Sequence, residues 1–191
     1  MITPRNIFEN HVAKVILDNE DYFVLDWRKD DNTSDFYVNY ILDRKNGIFH
    51  ITGDLGACFA NLRRNASPEQ VLDSMKNLDA FVKSFECSTD SYTITEEAIE
   101  KGIEEIKQEL LLTDCFWESE LVEDFKRLKW YFFESLHESA VNFEIPCFID
   151  LMEKYSDDWF ETFGEVGKTV HPRVEAWVKG YELALKQLEN K

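Results

Sequence analysis

The residues best suited to acid–base or metal chemistry gather between Asp43 and Gly56, where Asp43, the Asn46-Gly47 pair, His50 and Gly53-Asp54-Leu55-Gly56 follow one another closely. A carboxylate and an imidazole at a strand terminus can form an acid–base pair or hold a divalent ion. Asp43, His50 and Asp54, with a helix carboxylate, are therefore the candidate residues of a metal-dependent hydrolase or nuclease. The competing reading is structural. Two glycines around an aspartate suit a tight turn into a helix, with Asp54 capping a helix that begins near Leu55. Other catalytic patterns are missing: His11, His50, His137 and His171 are scattered, and no HExxH, GxSxG, GxxxxGK[ST] or GxGxxG occurs. With 7 glycines there is little material for a phosphate-cradling loop, so no cofactor is expected.

Carboxylates are the most abundant chemical resource of the chain. Lys and Arg number 21 against 38 Asp and Glu, a formal net charge of −17. From Glu96 to Glu165 there are 20 acidic and 6 basic residues, so direct nucleic-acid binding through 96–165 is electrostatically unfavourable. Neighbouring carboxylates such as Glu104-Glu105, Glu123-Asp124 and Asp157-Asp158 point about 100° apart on a helix and are not bidentate sites by themselves. One reading is a solvated helix face. The other starts from self-repulsion, since a like-charge field of this size destabilises the compact state unless it has a use. Carboxylates spread along helices can imitate a polyanion in an Arg- and Lys-lined channel built for nucleic acid. Glu104, Glu105, Glu118, Glu120, Glu123, Asp124, Asp157, Asp158 and Glu161 are the candidate partner-binding residues, with Trp117, Trp130, Tyr131, Trp159 and Phe160 as candidate aromatic anchors. Aromatics at helical spacing are core more often than interface, and most of these are expected to be buried.

The elements that would carry these residues are legible in outline. A chain of 191 residues with 44% hydrophobic content supports one domain without disulfide or metal. Its fold class is α+β: an N-terminal helix and a three-stranded antiparallel meander, packed with a helical C-terminal half. Subregions 1–95 and 96–191 form a single domain over 1–191. The helix runs from Pro4 to Leu17 on the spacing of Ile7, Phe8, Val12, Val15 and Ile16. Strands follow at Tyr22–Trp27, Phe36–Leu42 and Ile48–Thr52, the last two joined by the Asn46-Gly47 turn. Short helices are expected at Ala57–Arg63 and Ser67–Met75, the latter opened by the capping pattern Ser67-Pro68-Glu69-Gln70. Phe81–Cys87 reads as a strand or a helix. Further helices span about Thr95–Leu112 and Glu118–Val141, a shorter one follows Pro146, and a last one follows His171-Pro172.

Cys58, Cys87, Cys115 and Cys147 lack metal-ligand spacing and read as buried apolar thiols in a reduced cytosolic setting. Residues 1–20 lack a signal-peptide core, and no stretch reaches the roughly 18 apolar residues of a membrane span. A net charge of −17 also disfavours an anionic membrane surface.

The segments Tyr37-Val38-Asn39-Tyr40-Ile41-Leu42-Asp43 and Ile48-Phe49-His50-Ile51-Thr52-Gly53-Asp54-Leu55-Gly56 resemble a family of small uncharacterised proteins of phages and mobile elements in Firmicutes. Some small acidic proteins of that setting are anti-CRISPR inhibitors of type II effector nucleases. The resemblance implies a host-cell cytoplasmic location, a basic protein partner and a possible homodimer, and it transfers no site residues. The leading expectation is an inhibitor that binds a basic nucleic-acid-processing enzyme, such as a type II CRISPR effector, through its acidic surface. The alternatives are the metal-dependent hydrolase and a structural or assembly protein of a mobile element.

Overall fold

The computed structural model describes residues 7–30, 35–112, 118–135 and 146–190. Contacts divide the chain into two compact units, Met1–Ser91 with Val170–Lys191, and Tyr92–Thr169. We call them unit 1 and unit 2.

Unit 1 is built on a six-stranded antiparallel sheet: β1 (His11–Asp18), β2 (Tyr22–Lys29), β3 (Val38–Asp43), β4 (Ile48–Gly53), β5 (Gly56–Asn61) and β6 (Phe85–Ser88), hydrogen-bonded in sequence order. This corrects the expectation of an N-terminal helix with a three-stranded meander. Residues expected to continue the first helix form β1, paired with β2 from His11↔Lys29 to Asp18↔Phe23. A register shift between Val15 and Leu17 breaks the inside–outside alternation of that strand. The run therefore lacked a period of two in sequence, while its β-branched content suits a strand. The start of the expected helix, 4–6, lies outside the described residues.

The second correction concerns Gly53-Asp54-Leu55-Gly56. Gly53 pairs with Gly56 and the two intervening residues close a hairpin into β5, so Asp54 caps no helix. Both glycines have positive φ, 152° and 96°, and a Cβ at Gly53 would run into the Tyr37 carbonyl. The segment expected as a helix from Ala57 is a strand because Cys58 and Ala60 alternate inward while Phe59 and Asn61 face out.

One face of the sheet buries Phe23, Leu25, Trp27, Val38, Tyr40, Leu42, Phe49, Ile51, Cys58 and Ala60. Three helices cover it: α1 (Pro68–Met75), α2 (Leu78–Lys83) and the terminal helix α7 (Pro172–Glu189), whose Val174, Trp177, Tyr181, Ala184 and Leu185 enter the same core. Helix α1 has the expected capping box, with the Ser67 hydroxyl accepting from Gln70 N and the Gln70 side chain accepting from Ser67 N. Tyr40 ties sheet to helix: its hydroxyl donates to the Trp177 carbonyl at 2.8 Å. The approach is close because residue 180 is glycine, where a Cβ would stand 2.6 Å from the Tyr40 hydroxyl.

Unit 2 lies in sequence between β6 and α7. It holds a two-stranded pair, β7 (Tyr92–Ile94) with β8 (Lys168–Val170, the last residue counted with unit 1), and helices α3 (Glu96–Leu112), α4 (Glu118–Ser135), α5 (Pro146–Glu153) and α6 (Trp159–Phe163). Thr95 caps α3, its hydroxyl accepting from Ala98 N at 3.2 Å. Ile99, Ile103, Leu121, Phe125, Leu128, Phe132, Leu151, Met152, Phe163 and Val166 fill a separate core. The expected extension of α4 to Val141 lies outside the described residues. No helix among the described residues is long and apolar enough to cross a membrane.

Candidate interaction surface

Charge is segregated between the units. Unit 2 carries 20 acidic and 7 basic residues, net −13, while unit 1 carries 18 and 14, net −4. On α3, Ile99 and Ile103 face the core, so Glu96, Glu97, Glu100, Glu104, Glu105 and Glu109 fall on the exposed side. Glu104 accepts from Gln108 Nε2 at 2.7 Å, and that bond, with the nearby Lys107 ammonium, lowers its carboxyl below the ordinary range. Lys101 approaches Glu105 at 3.6 Å, and with Glu104, Gln108 and Glu109 these residues line an open depression. Such exposed pairs contribute little to folding, which leaves the carboxylates free to exchange partners.

The other acidic candidates differ in kind. Glu123 is exposed and meets Lys126 at 3.7 Å. Asp124 is buried: Lys154 Nζ donates to its Oδ2 at 2.6 Å and the Tyr155 hydroxyl to the same oxygen at 2.7 Å. Burial works to raise the Asp124 carboxyl, but those bonds and the Lys154 and Arg127 charges outweigh it and hold it low. This carboxylate joins α4 to the end of α5 and is not available to a partner. Asp157, Asp158 and Glu161 are exposed around the start of α6, where the Asp158 side chain makes no capping bond. The side chains of Glu118 and Glu120 lie outside those described.

Aromatics accompany the acids. Trp130 on α4 is 56% exposed and Phe160 on α6 is 64% exposed. Trp130 meets the Tyr131 ring edge-on at 5.1 Å and shares a shallow depression with Lys126, Arg127 and Tyr131. Both cations there are engaged by carboxylates, Lys126 by Glu123 and Arg127 by Asp124. Tyr131 and Trp159 are half-buried against the core of unit 2. The expectation that most of these aromatics are core thus fails at Trp130 and Phe160. Trp117 lies outside the described residues.

Of the residues proposed for a hydrolase, Asp43 and His50 are close enough for their charges to interact, while Asp54 stands apart. Asp43 ends β3 and is tied into its turn, accepting from Asn46 N at 2.9 Å and Nδ2 at 2.8 Å, which lowers its carboxyl. His50 stands opposite Ile41 on the outer sheet face with its ring 4.2 Å from Phe59, and burial lowers its pKa. Asp54 sits at the far end of β4, about 13 Å along the strand from His50, and accepts from Phe36 N at 2.8 Å. Among the described residues no three His, Cys, Asp or Glu side chains form a group that could hold a metal ion. Of the cysteines with described side chains, Cys58 is buried as expected and Cys87 is exposed.

Comparison with known proteins finds no significant match to any protein-family model, curated protein or solved structure.

Proposed function

We propose that unit 2 is an acidic docking module through which the protein binds, and obstructs, a basic nucleic-acid-processing protein. The observation that carries this reading is the segregation of charge, net −13 in unit 2 against −4 in unit 1, beside large aromatics left exposed on the same helices. Arg- and Lys-lined channels attract such a field, and a desolvated Trp is a frequent anchor at the centre of an interface. The resemblance to small acidic proteins of mobile elements makes a type II CRISPR effector with its guide the first partner to try.

The test is binding of that purified effector–guide complex by the full chain, followed by surface plasmon resonance at low and near-physiological salt. Reversing Glu104, Glu105, Asp157 and Asp158 to Lys is expected to weaken association at least tenfold at low salt, mostly through the on-rate. Trp130→Ala is expected to cost about tenfold or more, mostly through the off-rate. Binding indifferent to both salt and the four reversals would remove the acidic-docking mechanism.

A further inference from the structure

Cations are scarce in this chain, and most are already spent on its own carboxylates. Of the 19 Lys and Arg among the described residues, 13 form an ion pair within 4.0 Å. The six that do not are Lys14, Lys45, Arg63, Arg64, Lys83 and Arg173. Four of these six come together at one end of the unit 1 sheet.

Backbone bonding puts them there. The β3–β4 turn carries Lys45 and the segment after β5 carries Arg63 and Arg64. Leu62 N donates to the Gly47 carbonyl at 2.7 Å and Asn65 N to the Arg44 carbonyl at 2.6 Å, locking the two loops side by side. Gly47, at φ 73°, permits this approach: a Cβ there would meet Leu62 O at 2.7 Å and Arg64 N at 2.9 Å. Asn61 N in turn donates to the carbonyl of Ser84, the residue after Lys83, at 2.8 Å. Several carboxylates on these and the flanking elements keep their charge but are engaged within the protein, while Asp79 is exposed one helical turn before Lys83. Asp43 is held by Asn46, Glu86 by the Asn61 amide, Glu69 by the Ser67 hydroxyl, and Asp18 by Arg44. Glu20 and Asp21 are exposed at the β1–β2 turn, which adjoins the β3–β4 turn on the side away from Arg63 and Arg64: Arg44 N donates to the Asp21 carbonyl at 2.8 Å.

A second observation concerns the outer face of the sheet, opposite the face on which the described helices of unit 1 pack. Across it runs the row Val24, Ile41, His50, Phe59, set by the register of β2 to β5. Phe59 is 40% exposed and lies two residues before Asn61, the last residue of β5 and the approach to the cationic loops. An exposed ring on a sheet beside unpaired Arg and Lys is the combination that holds single-stranded nucleic acid: bases stack on the ring and phosphates meet the cations, with guanidinium forks bonding phosphate oxygens in pairs.

We infer that unit 1 binds single-stranded nucleic acid at this end of the sheet, with phosphates on Lys45, Arg63, Arg64 and Lys83 and a base against Phe59 and His50. Unit 2 is strongly acidic and does not take part. The site is independent of the docking proposed for unit 2, so either can fail alone.

The test is fluorescence anisotropy of the full chain with labelled oligo-dT and oligo-U, which separate DNA from RNA, and labelled polyglutamate of matched length. Four phosphate contacts on a single strand predict that affinity falls roughly fiftyfold between about 50 and 200 mM salt. Arg63→Glu with Arg64→Glu is expected to weaken oligonucleotide binding tenfold or more and to lower the salt slope by about 1.4. Phe59→Ala is expected to weaken it roughly tenfold without changing that slope. Arg173→Glu, an unpaired cation at the start of α7 near the opposite end of β6, is expected to change nothing. If the double Arg variant does not fold, as judged by circular dichroism, Lys45→Gln with Lys83→Gln should show the same change of slope. Absence of binding by the wild-type chain, indifference to these substitutions, or polyglutamate binding as tightly as the oligonucleotides would overturn the proposal.

Discussion

Asp124→Ala separates a structural carboxylate from an interacting one. The substitution removes the acceptor of the Tyr155 hydroxyl, in a residue only 7% exposed, and the partner of Lys154, whose side chain is 38% exposed. Losing the hydrogen bond from that largely buried hydroxyl to a carboxylate costs about 1.5–3 kcal/mol. The half-exposed ammonium regains water, so its lost ion pair adds no more than about 1 kcal/mol. A loss of roughly 3 kcal/mol follows, which lowers the melting midpoint by about 6–12 °C if the chain unfolds as one body and about twice that if unit 2 unfolds alone. Differential scanning calorimetry measures both the size of the shift and which transition moves. Tyr155→Phe in the same background removes the donor of the same bond, so the double variant should lose about 1 kcal/mol less than the two single losses added together. The pH dependence has a fixed sign. The folded-state Asp124 carboxyl lies below its ordinary value, so its contribution is fully present above the unfolded value of about 3.9 and is lost as pH falls through the folded one. Wild type and variant should therefore converge in stability as pH drops below about 4. A midpoint shift under roughly 2 °C at neutral pH, or a gap unchanged in acid, would refute the assignment of Asp124 to the fold of unit 2.

Gly180→Ala is expected to destabilise the protein by about 1–3 kcal/mol, even though alanine is the better helix former, because the new methyl lands on the Tyr40 hydroxyl and the Phe8 ring. Urea denaturation should show Tyr40→Phe recovering part of that loss, since the nearest clashing atom is then gone. Brief alkylation followed by peptide mapping should label exposed Cys87 well before Cys58, whose thiol is buried and pushed up to about 12.

How much was legible in the sequence varies with how local the information is. The strands around Phe23, Tyr40 and Phe49, the Asn46-Gly47 turn, the Ser67 capping box, and helices at 96–112 and 172–189 were readable because short-range periodicity and turn chemistry specify them. Likewise the acidic bias of 96–165 is a matter of counting, and it survives as the net −13 of unit 2. Which carboxylates belong to a surface was not readable: Asp124 and Glu123 are neighbours in the chain, yet one is 9% exposed and the other open to solvent. Asp43, His50 and Asp54 looked like a cluster because they are close in sequence, whereas strand pairing keeps only Asp43 and His50 as diagonal neighbours and puts Asp54 at the far end of β4.

By itself the sequence determined composition, charge distribution and those elements whose pattern is complete within a few residues. Tertiary structure alone decided that residues 11–18 pair as an edge strand, since the shift at Val15–Leu17 hides their period and only β2 reveals it. It also decided that Gly53 and Gly56 close a hairpin, because the requirement for glycine comes from the Tyr37 backbone. Finally, it decided that α7 completes the core of unit 1, from which it is separated in sequence by the whole of unit 2. Each of these rests on contacts between residues far apart in the chain, and no local pattern encodes which distant surface a segment will meet.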